Sequence, residues 1–499
     1  MKIQNSQIMP ALIDDVTYNV RRLLSGLFEN GLDCNLEVLT GQGVESLSET
    51  LHTGLLEAGR LALEQYIQAF DEDEPSLEED GVQWHRSECS EKSFLTKFGE
   101  ITLSRGLYYR RDEGSRGIKQ RARVPLDRAW GMQDRYAAAD VVEALLYVSA
   151  SMTPSEAAQL FAKLTGITPS TSLIYDVIQE DGSRLKEFVD DHEEKRWQEA
   201  EIPKETEVVV ASFDGANVCL RESGAKRGRP AERPQNEVPD KAESNNRASA
   251  YRNVMVGAIS AYKGREVTDT TGESVWKPQR LRSYYLAEMP EQGFGTFRDR
   301  SMAALEQLED QFPKEGVIKL LLMDGARNLW NWAKGEERFQ EFDWLLDFYH
   351  ASEHLSVAGE SLFGKQSDEA KQWYDKWKKK LKHEENAVEG LIRSITNHLK
   401  KRKLPKARKA AANRERQFFK NNRDKMNYAI YVEEGVPIGS GPVEAACKTI
   451  VKERMGRSGM RWNRKSGGNI LNLRVLAKSD QWEAMWQLYR QENWDRQAA

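Results

Sequence analysis

The chain has 499 residues, 30% of them charged and 39% hydrophobic, with a formal net charge of −5 at pH 7. That length suggests roughly two to four domains. No apolar run approaches the eighteen or so residues of a membrane span, and the start, "MKIQNSQIMPALIDDV", lacks a signal peptide's apolar core. Four cysteines (Cys34, Cys89, Cys219, Cys447) stand far apart with no CxxC pair, which argues against zinc knuckles and disulfide frameworks and fits a reducing cytosol.

In chain order, residues 1–80 show helical spacing and end in the acidic "DEDEPSLEED". Residues 81–125 form a small β-rich region, with "FLTKFGEITLSRGLYYRR" alternating as a hairpin does. Helical pattern returns over 126–200. There "TPSEAAQLFAKLTG" and "ITPSTSLIYDVIQEDG" each open on a Thr-Pro-Ser cap and are joined by a turn at Gly166, the spacing of a helix-turn-helix.

"EVVVASFDG" reads as a buried strand ending in Asp214, followed by a polar insert (Arg221–Ala250) expected to be disordered. "YRNVMVGAISAY" and "QRLRSYYLAEM" read as second and third strands, and "FRDRSMAALEQLEDQF" as a helix. "EGVIKLLLMDG" is a strand ending in Asp324, "ARNLWNWA" starts a helix, and "DWLLDFYH" is a short strand. Three strands, helix, strand, helix, strand is the order of a ribonuclease H-like α/β domain. Its first part is placed at 205–350, a basic helical insertion at 351–430, a returning helix at 431–480 and a tail at 481–499. The expected fold is therefore α/β, a ribonuclease H-like domain with a helical insertion, preceded by a mainly helical region with a hairpin and a helix-turn-helix.

Charge is uneven. Lys400–Lys425 holds about twelve basic residues against two acids, and Lys448–Arg474 is similarly lopsided. Such clusters suit a polyanionic partner better than a merely solvated face. "KRGRP" (Lys226–Pro230) resembles an AT-hook, in which Arg227 and Arg229 would enter a narrow minor groove. Trp330 and Trp332 could stack on an unpaired base or pack within the fold.

"SFDG" and "LMDG" repeat one device, an apolar strand delivering an Asp at its carboxyl end, where ligands gather in open α/β sheets. Two close carboxylates repel unless a cation neutralises them, and oxygen-only ligands favour Mg²⁺ or Mn²⁺. A third carboxylate would allow two ions, one activating the nucleophile and one stabilising the leaving oxygen of a phosphodiester. Glu444 is the candidate, in the first turn of a helix opened by Ser440, Gly441 and Pro442, with Lys448 and Lys452 sharing its face.

Together Asp214, Asp324 and Glu444, with "MDGARNLWNWA", "DFYHASEHL" and "GSGPVEAACKTIVKERMGRSGMRW", resemble bacterial insertion-sequence DDE transposases of the ISKra-like group, relatives of the Mutator-type enzymes. The resemblance runs from about Phe94 to Ala477. It implies cleavage at element ends and joining of the 3′-hydroxyl to target DNA, with the three acids holding metal. It also implies terminal-repeat and target DNA as partners, a homo-oligomer such as a dimer on paired ends, and a bacterial cytoplasmic, nucleoid location. "DFYH" matches the Asp/Cys-x-x-His element of those relatives and places Asp347 and His350 near the site. Where relatives carry paired cysteines after "YY", this chain has "YYRRDEGSRG", so packing without metal is expected there. Lys400, Lys401, Arg402, Lys403, Lys448, Lys452, Arg454 and Arg457 are the candidate phosphate contacts, and Trp462 the anchor of the helix end. A structure-specific nuclease on the same fold and a domesticated, catalytically dead DNA-binding protein remain the alternatives.

Overall fold

The computed structural model describes residues 41–71, 73–79, 81–110, 122–221, 251–268, 272–313 and 316–495, with a few isolated positions before residue 41. Two units carry the chain: Met1–Leu185 with Glu483–Ala499, and Lys186–Trp482. The AT-hook-like stretch, with Arg227 and Arg229, lies outside the described residues.

In the first unit, helix α1 (Gly41–Gln68) accompanies an antiparallel meander of β1 (Ser76–Glu79), β2 (Val82–Thr96) and β3 (Gly99–Arg110). The expected hairpin is β2–β3, and β1 is an addition that the sequence did not suggest. Alternation sends Ile101 and Leu103 inward to meet Phe94, Ile67, Leu126 and Met132. The Gln68 amide closes on the backbone of Ser104 from both sides, at 2.7 and 2.9 Å. At the edge of that core Arg105 donates to the buried Asp127 at 2.6 Å.

Helices α2 (Ala139–Ser149), α3 (Pro154–Thr165) and α4 (Thr171–Gln179) follow. A capping box between Thr153 and Glu156 starts α3, which ends where Gly166 takes φ +73°, in the left-handed region. The Ser170 hydroxyl accepts from the Leu173 amide at 3.0 Å and starts α4. Both Thr-Pro-Ser segments therefore act at helix starts, as the sequence suggests.

The second unit is built on a mixed sheet of β4 (Val208–Cys219), β5 (Tyr251–Thr268), β6 (Ser274–Glu288), β7 (Ile318–Met323) and β8 (Asp343–Leu346). Its order is β6-β5-β4-β7-β8. The first three strands pair antiparallel in succession, whereas β7 and β8 run parallel to β4. Helices α5 (Gly295–Glu309) and α6 (Arg327–Gly335) form the crossovers that parallel pairing demands.

Both faces of the sheet are covered. On β5, Met255 and Ile259 join the larger core with α5 and α6, while Val254, Val256 and Ala258 face a second core containing Val443, Ile450 and Leu471. Phe213 lies over Gly257, its registered partner, where a Cβ would stand 3.1 Å from the ring.

Most of residues 348–422 are helical, in α7 (Phe348–Phe363), α8 (Asp368–His383), α9 (Ala387–Lys401) and α10 (Lys406–Asn422). They are no detached arm, because Leu381, Leu391, Ile395 and Phe419 belong to the same apolar core as β4 and β7. The chain then forms α11 (Gly441–Ala446), which continues as a π-helical turn (Cys447–Lys452) into Glu453–Met455, and α12 (Arg464–Lys478). Among the described residues no helix is long and apolar enough to cross a membrane.

Candidate active site

Asp214 and Asp324 stand at one level of the sheet. The parallel register of β4 and β7 pairs Ala211 with Leu321, and each acid lies three residues beyond that pair. Continuing the β7–β8 register past Met323–Leu346 brings Asp347 to the same level, and its amide donates to the Met323 carbonyl at 2.8 Å. Asp324 and Asp347 thus directly follow the ends of β7 and β8, whereas Asp214 lies within β4, which continues to Cys219 in its pairing with β5 instead of ending at the acid as the sequence suggested.

Their environments differ. Burial pushes the Asp324 carboxyl above its ordinary value, and the charges of Asp214 and Asp347 push the same way. The Ala326 amide, donating to Asp324 Oδ1 at 2.8 Å, and His350 oppose the rise. The Trp330 indole holds the Asp324 carbonyl at 2.6 Å. Trp330 and Trp332 are both buried, so packing, not base stacking, is what they do. Asp214 Oδ1 accepts from the Gly215 amide at 2.6 Å, and its Oδ2 faces the Cys447 thiol at 3.5 Å.

Asp347 is wholly buried, and both its oxygens accept hydrogen bonds. Its Oδ1 accepts from the His350 amide at 2.7 Å and so caps α7, while its Oδ2 accepts from the amide and, at 2.7 Å, the hydroxyl of Ser440. The Ser440 oxygen also lies 2.9 Å from Glu444 Oε1. One hydroxyl has one proton, so it can serve either carboxylate but not both at once. His350 sits against the Asp324–Gly325 corner, where a Cβ on Gly325 would stand 3.1 Å from Nε2.

Glu444 is exposed, and no ion pair joins it to Lys448 or Lys452 among the described residues; its partner is Ser440. The π turn that follows is supported from outside. Buried Arg474 on α12 donates through Nε to the Ile450 carbonyl at 2.6 Å and through Nη2 to the Thr449 carbonyl. Wider π turns disturb the i→i−4 ladder and are frequent at functional sites. This turn carries Cys447, whose thiol burial pushes up, with the Asp214 charge adding to it.

Sequence reasoning missed Ser440 as more than a helix start, Cys447 entirely, and Arg474 as a support. Only Arg474 left a signal: one cation within the otherwise uncharged "NILNLRVLA".

The candidate DNA-binding residues divide by exposure and by the partners they already hold. Lys400, Lys401, Lys403, Lys448 and Lys452 are exposed. Arg402 is engaged with Glu369 at 3.1 Å and lies over the Phe363 ring. Arg454 is a correction: it is 3% exposed, with its guanidinium over the Trp462 ring, and it packs the helix end instead of facing solvent. Arg457 is half-buried and donates to the Glu453 carbonyl at 3.1 Å. Trp462 does anchor that end, its indole donating to the Met455 carbonyl at 3.1 Å. On α4 the exposed residues include Thr171, Ser172, Tyr175 and Asp176, and the helix has no Lys or Arg.

The donor set suits a hard cation in chemistry, being oxygen only. Asp324 Oδ2 and Glu444 Oε2 have no hydrogen-bond partner among the described residues. The three acids do not stand as a closed cage: among the described residues no group of three or more His, Cys, Asp or Glu is arranged to hold a metal ion.

No known protein-family profile matches the chain, and no curated protein matches it in sequence. Among solved structures, the Drosophila P element transposase strand transfer complex aligns with 71% of this chain and 80% of that chain, at 12% identity. The TM-score is 0.24, too loose a superposition to define a fold.

Proposed function

We propose that the chain is a DDE transposase on a ribonuclease H-like domain, similar to the ISKra-like insertion-sequence group. It cuts phosphodiesters at element ends and joins the 3′-hydroxyl to target DNA. The observation that carries this reading is the strand order β6-β5-β4-β7-β8, with Asp214 on β4 level with Asp324 at the carboxyl end of the adjacent parallel strand β7.

In this reading Asp214 and Asp324 form the fixed half of a divalent-metal site and Glu444 is the mobile third ligand. Bound Mg²⁺ or Mn²⁺, as a pair of ions, would polarise the scissile phosphate and favour ionised oxygen nucleophiles. The protein's own part is to keep the aspartates aligned, and to carry the DNA on exposed lysines. Lys448 and Lys452 lie beside the acid, and Lys400, Lys401 and Lys403 lie on the insertion. A homodimer on paired ends, working on the bacterial nucleoid, completes the reading.

The test uses DNA carrying the inverted repeats that bracket the gene, with Mg²⁺ or Mn²⁺. Asp214→Asn, Asp324→Asn and Glu444→Gln should each abolish cleavage and leave DNA binding in place. Cleavage by any of the three would mean that its acid is wrongly assigned. Cutting without strand transfer would make the protein a nuclease, and full activity in EDTA would remove the mechanism.

A further inference from the structure

Strand β5 outruns β4. Their pairing ends at Val208–Tyr262, whereas β5 and β6 pair onward from Tyr262–Arg280 to Thr268–Ser274. The result is a two-stranded ribbon projecting from the end of the sheet opposite Asp214, which pairs with Val256. Lys263 is seven residues along β5 from Val256, or roughly 24 Å at about 3.4 Å per residue.

Directly opposed residues share a face. Gly264, Glu266, Trp276 and Pro278 lie on one. That face is taken up by the chain itself, since a Cβ on Gly435 would stand 3.0 Å from Trp276 Cβ and 3.4 Å from Gly264 Cα. The other face presents Lys263, Arg265 and Val267 against Gln279, Lys277 and Val275. Arg265 stands directly opposite Lys277, both are exposed, and Lys263 is half-buried. None of these three cations has an ion pair among the described residues, and those six positions include no acid.

Like charges directly opposed across two strands destabilise the pair, and an acid at either position would relieve it. Sheet formation therefore does not account for the arrangement. A polyanion lying on this face does, and a two-stranded ribbon is narrow enough to enter the major groove of a duplex.

We propose that the Lys263–Arg265–Lys277 face binds the phosphate backbone of duplex DNA, as a contact remote from the carboxylates. The contact is independent of sequence, because side chains of this kind position DNA without reading bases. The inference rests on the DNA-handling reading above but not on its catalytic assignments.

The experiment measures binding of the full chain to a fluorescent random-sequence duplex across a salt series. The combined variant Lys263→Ala, Arg265→Ala, Lys277→Ala should bind at least tenfold more weakly at about 0.1 M salt. Its log K against log salt slope should be shallower by about two to three, at roughly 0.9 for each phosphate no longer neutralised. Lys277→Glu, which places an acid opposite Arg265, should keep or raise Tm while weakening binding. Wild-type affinity and slope in both variants overturn the proposal, as does weaker binding that comes only with a lowered Tm in both. If the unaltered chain binds no duplex, the proposed function falls with it; if it binds and the variants match it, only the ribbon's role falls.

Discussion

Asp347 accepts two hydrogen bonds from Ser440, 93 residues further along the chain, one from its amide and one from its hydroxyl. This single carboxylate joins the end of β8 to the start of the helix that carries Glu444. The Phe348 amide, donating to the Ile438 carbonyl at 2.9 Å, reinforces the junction. Both Asp347 oxygens have protein partners, so the role proposed for it is to position Glu444 through Ser440.

Asp347→Asn would turn an amide donor toward the Ser440 N–H and leave a buried group unsatisfied, at a cost of about 1–3 kcal/mol. Displacement of Ser440 carries Glu444 with it. Cleavage should fall about 10–100-fold, as expected when a ligand's supporting partner is removed. The Mn²⁺ concentration for half-maximal activity should rise while DNA affinity holds. Ser440→Ala keeps the amide contact and should show a smaller change in the same direction. A wild-type rate and Mn²⁺ dependence in Asp347→Asn would sink this role.

Much of the fold was legible because β7 and β8 are short apolar runs closed by an aspartate, because β4 opens on an apolar run, and because α3 and α4 begin at capping residues. Asp214 and Asp324 were legible because each follows such a run, although β4 continues past Asp214 to Cys219. The partners of Glu444 were not. Helical spacing aims it at Lys448, but a hydrogen bond to Ser440 competes, and nothing local announces the π turn that Arg474 supports. Basic residues misled in one respect. Composition counts Arg454 and Arg474 as surface charge, yet an arginine can be buried when ring faces or carbonyls receive it. The β5–β6 ribbon was not read from the sequence, which placed the two strands at 251–262 and 279–289, and the opposition of Arg265 and Lys277 depends on a pairing register that neither strand specifies alone.

The raised Asp324 carboxyl makes a prediction about stability. Its folded-state pKa lies above the unfolded value near 3.8, chiefly through burial. The folded chain therefore holds the proton more tightly, and that contribution is complete below pH 3.8 and is lost as pH rises through the folded value. At neutral pH the ionised group is a net cost. Asp324→Asn keeps an Oδ1 acceptor for the Ala326 amide and should raise Tm at neutral pH, by on the order of 2 °C. The gain should shrink as pH falls toward the ordinary Asp range. Thermal melts without divalent metal, taken at several pH values, check this; a gain that does not vary with pH would contradict it.

Cys447 should resist alkylation in the folded chain. Burial and the neighbouring Asp214 charge both disfavour its thiolate, the reactive form. Exposed Cys89 supplies the internal comparison. With iodoacetamide at mildly alkaline pH, mass spectrometry should find Cys89 modified and Cys447 unmodified until denaturant is added. Asp214→Asn should speed Cys447 labelling, because it removes the opposing charge. Equal labelling of the two cysteines in the native wild type would mean that Cys447 is not held against Asp214.

The end of α9 offers four adjacent cations that differ in what they can give to DNA. All four are exposed, but Arg402 alone is held by Glu369 and stacked on Phe363. A cation already paired and stacked must give up those partners to reach a phosphate, while a solvated lysine releases a counterion at little cost. Replacing Lys400, Lys401 and Lys403 together with alanine should weaken binding to any duplex and flatten its salt dependence by about two to three, at roughly 0.9 per phosphate. Tm should stay near the wild-type value, since exposed charges contribute little to stability. Arg402→Ala should do the reverse, lowering Tm through weaker packing on Phe363 and leaving the salt slope unchanged. Salt titrations and melts on the two proteins separate these outcomes. An unaltered slope in the triple variant would show that the insertion does not touch the backbone there. The phosphate contacts near the carboxylates would then fall to Lys448 and Lys452, which are exposed on the π turn that follows Glu444.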